Sequence, residues 1–312
     1  MQGWIVSLPE RLDVFLAKDA HFASREKVQA AIEAGHVTVN DEVIIKVSHR
    51  LQEGDEVELT TDEPLRSDTG IKPADLHLTI LYEDDACLVI DKPAGIAVHP
   101  GAGISESEPT ILSGIAFLFA KKKIPFAADA VLVHRLDKET TGCLLIAKSP
   151  EAHSALQKQF EERTIKKIYL ALTAGIPSPA EAIIDAPIGR ATAQRTKMSI
   201  SGVSKTREAR TTYRTIATSG QTALLECELH TGRTHQLRVH LSAIGHPILG
   251  DPKYSNQLSE RLTDEFSIRN LCLHAQHLTF VSPADRKEHS VMAEVPEAFE
   301  GVVKRLGMKM PK

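Results

Sequence analysis

The sequence predicts an α+β protein whose central sheet is mainly antiparallel. Short apolar runs with strand character alternate with short helical patterns along most of the 312 residues. A compact module of two helical patterns and a small alternating segment comes first, and a polar stretch with two prolines and a glycine follows it. We therefore expect a small N-terminal α/β domain over residues 1–62, a linker over residues 63–76 and a larger domain over residues 77–312.

The N-terminal module is predicted from helical spacing followed by strand alternation. Residues 11–18 place apolar side chains at helical spacing, and a second helical pattern begins at Ser24, a residue typical of N-caps, and ends at Gly35. Residues 37–45 alternate around an Asn-Asp pair, which indicates a hairpin, and residues 54–59 turn into a last short strand. Two short helices followed by a small sheet result.

The larger domain begins with a predicted hairpin, in which two apolar runs flank the acidic turn at residues 83–85. A helix is expected over residues 110–120, and another begins at Ser149-Pro150, an N-cap followed by proline. The segment KKIYLAL reads as a strand that places Tyr169 on the face opposite its larger aliphatic residues, where a tyrosine can line a cleft. Later, a strand at residues 224–229 precedes a helix over residues 237–244.

The most informative stretch is residues 131–148, VLVHRLDKETTGCLLIAK. Apolar runs at 131–133 and 143–147 predict two strands around a polar loop. In this loop Asp137 lies between the cations Arg135 and Lys138, which favour the ionised carboxylate and keep it available as a nucleophile. A surface turn of mixed charge is the alternative interpretation.

The charge distribution is uneven along the chain. The net charge is −4, but residues 131–312 hold 25 basic and 19 acidic side chains, whereas residues 1–130 hold 12 and 22. The four cysteines are far apart and are expected to be buried thiols. No apolar run approaches the roughly 20 residues needed to span a bilayer, and the first residues lack the pattern of a signal peptide. We therefore expect a cytoplasmic protein.

The central loop carries a resemblance to a known family. VHRLDKETTG resembles the active-site loop of the pseudouridine synthases in the branch of RluA, RluC and RluD, and DKPAG, AVHPGAG, TGRTHQLRVHL and NLCLHA resemble further signature segments in the same order. The resemblance implies that Asp137 is the nucleophile and that Arg238 pairs with it. It also implies that Arg135 helps to hold the target nucleotide out of its stack, that Tyr169 stacks on the base and assists proton removal, and that Leu273 packs beside the flipped base.

The N-terminal module resembles the S4 RNA-binding domain, over the segment from ASREKVQ to GDEVEL. This resemblance implies phosphate contacts by four basic residues, which position the module without reading sequence: Arg25, Lys27, Lys46 and Arg50. Residues 185–215 resemble basic segments of RluD-like members, and the interpretation we prefer is RNA contact by Arg190, Arg195, Lys197 and Arg207. The alternative for each of these side chains is a solubilising charge.

The resemblance implies a mixed, extended sheet with the cleft across its middle, and a reaction that requires no cofactor. It favours uridines in the helix 69 loop of large-subunit ribosomal RNA as substrates, with an RluC-like target as the alternative. We expect the enzyme to be a monomer. Attack of Asp137 on the sugar C1′ or on uracil C6 remains open.

Other classes of function remain as alternatives. A non-catalytic RNA-binding or ribosome-assembly protein could keep the same fold. A carboxylate-dependent glycosidase or nucleosidase needs a second carboxylate, for which Glu139 is the nearest candidate. A zinc site at His235 and His240 is excluded, because side chains five residues apart do not share a helix face. GIAVHPGAG lacks the lysine of a triphosphate-binding loop.

Overall fold

The computed structural model describes residues 2–17, 25–60, 71–101, 104–105, 107–192, 194 and 197–310. The chain divides into two compact units, Met1–Ile71 with Ala127–Ala130 and Lys72–Phe126 with Val131–Lys312. Among the described helices, none combines the length and the apolar character that crossing a bilayer requires.

The first unit is a four-stranded antiparallel sheet with two helices. Its elements are β1 (Gln2–Ile5), α1 (Leu12–Leu16), α2 (Arg25–Glu33), β2 (Val37–Val39), β3 (Glu42–Val43) and β4 (Glu56–Leu59). The strand order is β1-β4-β2-β3. Both helices and the sheet bury apolar side chains in one core, including Leu12, Val28, Ile32, Val37 and Val57. Burial of these side chains is the main stabilising contribution within the unit.

The predicted hairpin turn of the first unit is present. Asn40 and Asp41 both adopt positive φ, 51° and 67°, as the two central residues of a type I′ turn do. Asn40 also donates to Asp55 and accepts from the backbone of Glu56, so the turn is tied to β4. Strand β1 was not predicted. A run of four residues is too short to indicate a strand by itself, and this run forms one because it pairs with the edge of β4. The predicted N-cap Ser24 lies outside the described residues.

The second unit is built on a nine-stranded sheet. Its first elements are β5 (Thr79–Glu83), β6 (Cys87–Lys92), α3 (Ile111–Lys122), β7 (Thr141–Ala147), α4 (Pro150–Glu161), β8 (Lys166–Ala174), β9 (Glu181–Asp185), β10 (Ile188–Ala191), β11 (Met198–Ser199) and β12 (Val203–Arg207). The later elements are β13 (Arg210–Ser219), β14 (Thr222–Leu229), α5 (Gln236–Ala243), α6 (Gln257–Glu265), β15 (Leu273–Val281), β16 (Glu288–Met292) and α7 (Glu297–Arg305).

The order of the large sheet is β5-β6-β7-β15-β8-β14-β13-β9, with β16 paired to β15. Only the β7–β15 pairing is parallel among the described strands of this sheet, so the prediction of a mixed, mainly antiparallel sheet is confirmed. The central strand β8 is buried on both faces after its first residues. The four cysteines are buried free thiols, as expected.

The predicted strand at residues 131–133 is wrong. These residues make a single isolated bridge, between Leu132 and Ile146, and do not form a strand. The physical reason is that the run pairs with β7 at one end only: the N–H of Ala147 donates to the carbonyl oxygen of Val131 at 2.9 Å, but the N–H of Leu145 donates to the side chain of His134. Val133 is instead buried among side chains of β6 and β7 in the core.

A separate three-stranded antiparallel sheet has the order β11-β10-β12. It carries much of the basic segment singled out in the sequence. Arg190 on β10 and Arg207 on β12 are exposed, and Lys197, just before β11, is half-buried. Arg195 lies outside the described residues. The small sheet therefore presents cations to solvent.

Candidate active site

A cleft of about 500 Å³ opens over the middle strands of the large sheet. Its walls come from the loop before β7, from β8, from the connection between β14 and α5, and from the start of β15. All five residues that the resemblance placed at the catalytic centre line this cleft: Arg135, Asp137, Tyr169, Arg238 and Leu273. The fold thus brings together side chains that are widely separated in the chain.

Asp137 is held by an arginine from α5. Arg238 Nη1 donates to Oδ2 of Asp137 at 3.0 Å, while its Nε and Nη2 donate to the two oxygens of Asp251 at 2.7 and 2.9 Å. The Arg238 side chain is only 8% exposed, and that of Asp251 is fully buried. The guanidinium therefore bridges a fixed buried carboxylate and a second carboxylate that still reaches the cleft.

Arg238 and Asp251 stabilise each other in their charged forms. Burial opposes the charged form of Arg238, but the hydrogen bonds and charge of Asp251, with a further contribution from Asp137, raise the pKa of Arg238. Burial likewise disfavours the Asp251 carboxylate, but the Arg238 hydrogen bond and the amides of Lys253 and Tyr254 lower the pKa of Asp251. The second carboxylate, Asp137, consequently meets a permanently positive neighbour.

The loop that carries Asp137 is fixed by a buried lysine. Lys92, at the end of β6, has no exposed surface, and its Nζ donates to the carbonyl oxygens of Pro93, Lys138 and Thr140 at 2.7, 2.9 and 2.9 Å. Three ammonium protons thus meet three acceptors, two of them in the loop directly after Asp137. Burial lowers the pKa of Lys92 to about 8.

Replacing Lys92 by Met is expected to lower the free energy of unfolding by about 1–3 kcal/mol and to slow the reaction, because buried carbonyl oxygens lose their donor and the loop loosens. Chemical denaturation and a single-turnover rate measure the two effects. Lys121→Met, on the exposed end of α3, is the control and should change neither. A Lys92→Met variant with wild-type rate and stability would contradict the anchoring role.

Gly142 allows the same loop to enter the sheet. Its φ is +105°, and a Cβ at this position would lie 2.2 Å from the carbonyl oxygen of Ala275. Gly142 and Ala275 face each other in the parallel β7–β15 pair. Only glycine fits this backbone conformation and close approach. The contact between the two strands therefore requires a glycine at position 142.

Tyr169 lies in the centre of the sheet, opposite Cys227 of β14 and Ala275 of β15. Its side chain is buried, and among the described residues no group hydrogen-bonds its hydroxyl. Burial, followed by the charge of Asp137, raises the pKa of Tyr169, so the phenol stays protonated. Leu273, also buried, begins β15 and contributes an apolar wall to the same cleft.

Arg135 is exposed and is oriented by His99. His99 Nδ1 donates to the carbonyl oxygen of Pro100 at 2.6 Å, which leaves Nε2 as an acceptor for Arg135 Nη1 at 3.1 Å. The AVHPGAG segment thus contributes a residue that holds Arg135 at the cleft.

Sequence reasoning missed several residues of the site. Asp251 and Tyr254 lie in the GDPKY segment, and their contact with Arg238 could not be read from spacing. His235 was considered only as a zinc ligand, yet its Nε2 lies 3.9 Å from Oδ1 of Asp137. His240, the other zinc candidate, is buried and bonds to Thr211 and to the carbonyl oxygen of Ala186.

Burial changes the pKa of two further residues of the cleft wall. Burial lowers the pKa of Lys167 to about 8 and that of His134 to about 3. The neutral His134 accepts a hydrogen bond from the backbone of Leu145 and stacks on Phe160. The only sequence signal for these two residues was their position: Lys167 lies two residues before Tyr169, and His134 directly precedes Arg135 in the loop motif.

Of the RNA contacts predicted in the second unit, the three that the structure describes do not line the cleft. In the first unit Lys46 and Arg50 are exposed, and Arg25 and Lys27 belong to α2 by their backbone. In the second unit Arg190, Lys197 and Arg207 belong to the small basic sheet or its border.

Comparison with known proteins shows which family the chain resembles. The model of the RNA pseudouridylate synthase family matches residues 86–243, and that of the S4 domain matches residues 10–57. Ribosomal large subunit pseudouridine synthase D of Zymomonas mobilis is 36% identical over 311 residues, which cover 98% of this chain and 95% of that protein. The uncharacterized RNA pseudouridine synthase YlyB of Bacillus subtilis is 36% identical over 298 residues, covering 95% and 94%.

A solved structure extends the comparison to the fold. Human RNA Pseudouridylate Synthase Domain Containing 4 superimposes with a TM-score of 0.60 at 30% identity, covering 75% of this chain and 95% of that one. The family signature segments, the cleft built from them and these relatives agree with one another. The chain therefore belongs to the RNA pseudouridylate synthase family, carries an S4 domain at its N-terminus, and is an RNA pseudouridine synthase.

Proposed function

We propose that this enzyme converts specific uridines of large-subunit ribosomal RNA to pseudouridine, in the loop of helix 69, with Asp137 as the nucleophile. The observation that carries the proposal is the Asp137 carboxylate at the cleft, with Oδ2 fixed by Arg238 and Oδ1 outside hydrogen-bond distance of any described group. The similarity to a ribosomal large subunit pseudouridine synthase D supports ribosomal RNA as the substrate.

The reaction fits a site of this composition. The bond between uracil N1 and the sugar C1′ breaks, the base turns, C5 takes the place of N1, and the C5 proton leaves while N1 gains a proton. No electrons are gained or lost. Asp137 forms an ester-like bond with C1′ or adds to uracil C6, and either bond breaks before release. Arg238 orients the carboxylate for both routes by a charge-assisted hydrogen bond.

The target base must leave its stack to reach Asp137, at a cost of a few kcal/mol. We propose that Arg135 fills the vacated space and that Tyr169 stacks on the flipped base beside Leu273. The exposed position of Arg135 at the mouth of the cleft and the buried position of Tyr169 and Leu273 inside it support this division of roles. Stacking on an aromatic ring would offset part of the cost of flipping.

Tyr169→Phe separates stacking from proton transfer. The protonated phenol can take up the C5 proton only as it passes its own proton on. If it carries the proton in this way, this variant keeps RNA affinity but loses about 10²-fold in single-turnover rate. Tyr169→Leu also loses the stack and is expected to bind the flipped substrate more weakly by about 1–3 kcal/mol. Rapid-quench kinetics with RNA labelled at uridine C5 measures both. An unchanged rate in Tyr169→Phe would assign the proton to a water molecule.

The substrate assignment is tested by mapping. The purified protein is incubated with large-subunit ribosomal RNA that lacks pseudouridine, and each new pseudouridine is located along the chain. We expect modification in the loop of helix 69. Modification confined to other positions, including an RluC-like pattern, would refute the helix 69 target and leave the chemistry intact.

We further propose that residues 1–62 bind RNA as a module joined by residues 63–76 to a catalytic domain over residues 77–312. The S4 match over residues 10–57 and the exposed Lys46 and Arg50 support the module. Arg25, Lys27 and Arg195 complete the proposed set of contacts, together with the cations of the small basic sheet.

The small basic sheet gives a direct test of phosphate contact. Arg190→Ala combined with Arg207→Ala is expected to reduce by about 2 the slope of log affinity against log salt, because each lost phosphate contact removes about one released counterion. Filter binding across salt concentrations measures the slope. Arg261→Ala with Lys304→Ala removes two exposed cations from α6 and α7 and serves as the control. Equal slopes for the two double variants would contradict the proposed contacts.

A further inference from the structure

A chain of hydrogen bonds leads from the small basic sheet to the nucleophile. The backbone N–H of Met198 on β11 donates to the hydroxyl of Tyr254 at 3.0 Å, and this hydroxyl lies 2.8 Å from Nδ1 of His235. His235 stands immediately before α5 in a left-handed conformation, with φ of 57°. The other ring nitrogen, Nε2, lies 3.9 Å from Oδ1 of Asp137.

This chain fixes the tautomer of His235. The Tyr254 oxygen already accepts the Met198 N–H, and its single proton has His235 Nδ1 as the acceptor in reach among the described residues. Nδ1 is then occupied as an acceptor, and the ring proton lies on Nε2. His235 therefore presents an N–H to Oδ1 of Asp137 and has no free lone pair to act as a base.

The surroundings keep this imidazole neutral. Among the described residues, Asp137 and Asp251 act to raise the pKa of His235, Arg238 and Lys253 act to lower it, and Tyr254 contributes a hydroxyl. Burial, with the charges of Arg238 and Lys253 in the same direction, outweighs the two carboxylates and lowers the pKa of His235. A neutral ring contributes a dipole at Asp137 and no full charge.

We propose that His235, fixed by Tyr254, is a positioning residue that keeps Oδ1 of Asp137 turned towards the bound nucleotide. Arg238 anchors Oδ2 from one side, and the His235 N–H faces Oδ1 from another, so that rotation of the carboxylate is opposed at both oxygens. The separation of 3.9 Å is longer than a hydrogen bond, so Oδ1 keeps its lone pairs for attack.

This role rests on the proposed function of Asp137, and side-chain geometry provides its test. The amide nitrogen of Gln reaches the place of His Nε2, whereas that of Asn reaches only the place of Nδ1. We expect His235→Gln to keep the single-turnover rate within about 5-fold of wild type, and His235→Asn and His235→Phe to lose about 10- to 100-fold, all with unchanged RNA affinity. Tyr254→Phe should lose about 10-fold, because neither tautomer is then enforced.

His77→Gln is the matched control. His77 also has a positive φ, 49°, and its side chain is 89% exposed, so this change repeats the backbone strain of His235→Gln away from the cleft. Its rate should equal that of wild type. Thermal unfolding of each variant shows whether the fold is intact, and rates are compared at saturating enzyme so that stability does not enter.

Two outcomes would overturn the positioning role. His235→Asn with the wild-type rate would show that the N–H at Nε2 contributes nothing, and weaker RNA binding with an unchanged saturated rate would make His235 a nucleotide contact. Asp137→Asn is measured in parallel. If that variant keeps its activity, the proposed nucleophile is wrong, whatever the His235 variants do.

Discussion

Replacing Asp137 by Asn is expected to reduce pseudouridine formation by about 10⁴-fold or more, because the amide oxygen cannot form and release the covalent bond that either route requires. The fold should survive. Oδ2 is the atom that accepts from Arg238, and the Asn side-chain oxygen can take its place. Arg238 also keeps both of its bonds to Asp251 in this variant. The loss should therefore fall on the rate and leave stability close to wild type.

Release of tritium from RNA labelled at uridine C5 measures this loss, and an assay for free uracil accompanies it. Glu139→Gln is the matched control, since it removes a carboxylate two residues away in the same loop. We expect Glu139→Gln to remain active and wild-type enzyme to release no uracil. A glycosidase would give free uracil and would lose activity in Glu139→Gln. Asp137→Asn with more than about one hundredth of the wild-type rate would contradict nucleophilic attack.

Most of the secondary structure could be predicted because its signals are local. The Ser149 N-cap with Pro150 at the start of α4 is one case, and the Asn40-Asp41 turn is another. Each depends on the conformational preference of one or two residues. The run at 131–133 failed for the opposite reason, because whether an apolar run becomes a strand depends on the backbone partners that it meets, and here the side chain of His134 takes the N–H of Leu145.

The residues of the candidate site that lie in a sequence motif were predicted. Those whose role depends only on a contact formed in the folded structure were missed. Asp137 and Arg238 stand in motifs, so the resemblance placed them together although 101 positions separate them. Asp251 has a role only because α5 and the turn after it bring its carboxylate against the guanidinium of Arg238. The three carbonyl oxygens that Lys92 binds are backbone atoms and carry no sequence signal.

The same geometry makes Arg238 important for stability as well as for activity. Arg238→Met removes all three of its hydrogen bonds and leaves the fully buried Asp251 carboxylate without its cation. Breaking a buried ion pair from one side costs about 3–5 kcal/mol. Activity should fall by about 10²- to 10³-fold at temperatures where the variant is still folded, because the nucleophile loses the donor that orients it.

A second substitution separates the two effects of Arg238. Asp251 Oδ1 accepts from the backbone N–H groups of Lys253 and Tyr254, and the side-chain oxygen of Asn can accept both. Adding Asp251→Asn to Arg238→Met removes the unpaired charge and keeps these bonds, so most of the stability should return. Activity should not return, because Asp137 still lacks its donor. Recovery of both would show that Arg238 acts only through stability.

The pH dependence of unfolding identifies the buried charge as the cause. In wild type the pKa of Asp251 is lowered, so its contribution to stability is complete above its unfolded pKa of about 3.9 and is lost as the pH falls through the folded pKa. In Arg238→Met burial acts without the cation and raises the pKa of Asp251, which reverses the sign. The deficit of this variant relative to wild type should therefore shrink as the pH falls from 7 to about 4.

In the double variant the amide introduced by Asp251→Asn does not titrate, so its stability should show neither dependence. Denaturant titrations of the three proteins at several pH values measure these differences, and a deficit of Arg238→Met that is constant with pH would rule out an unpaired carboxylate as its origin.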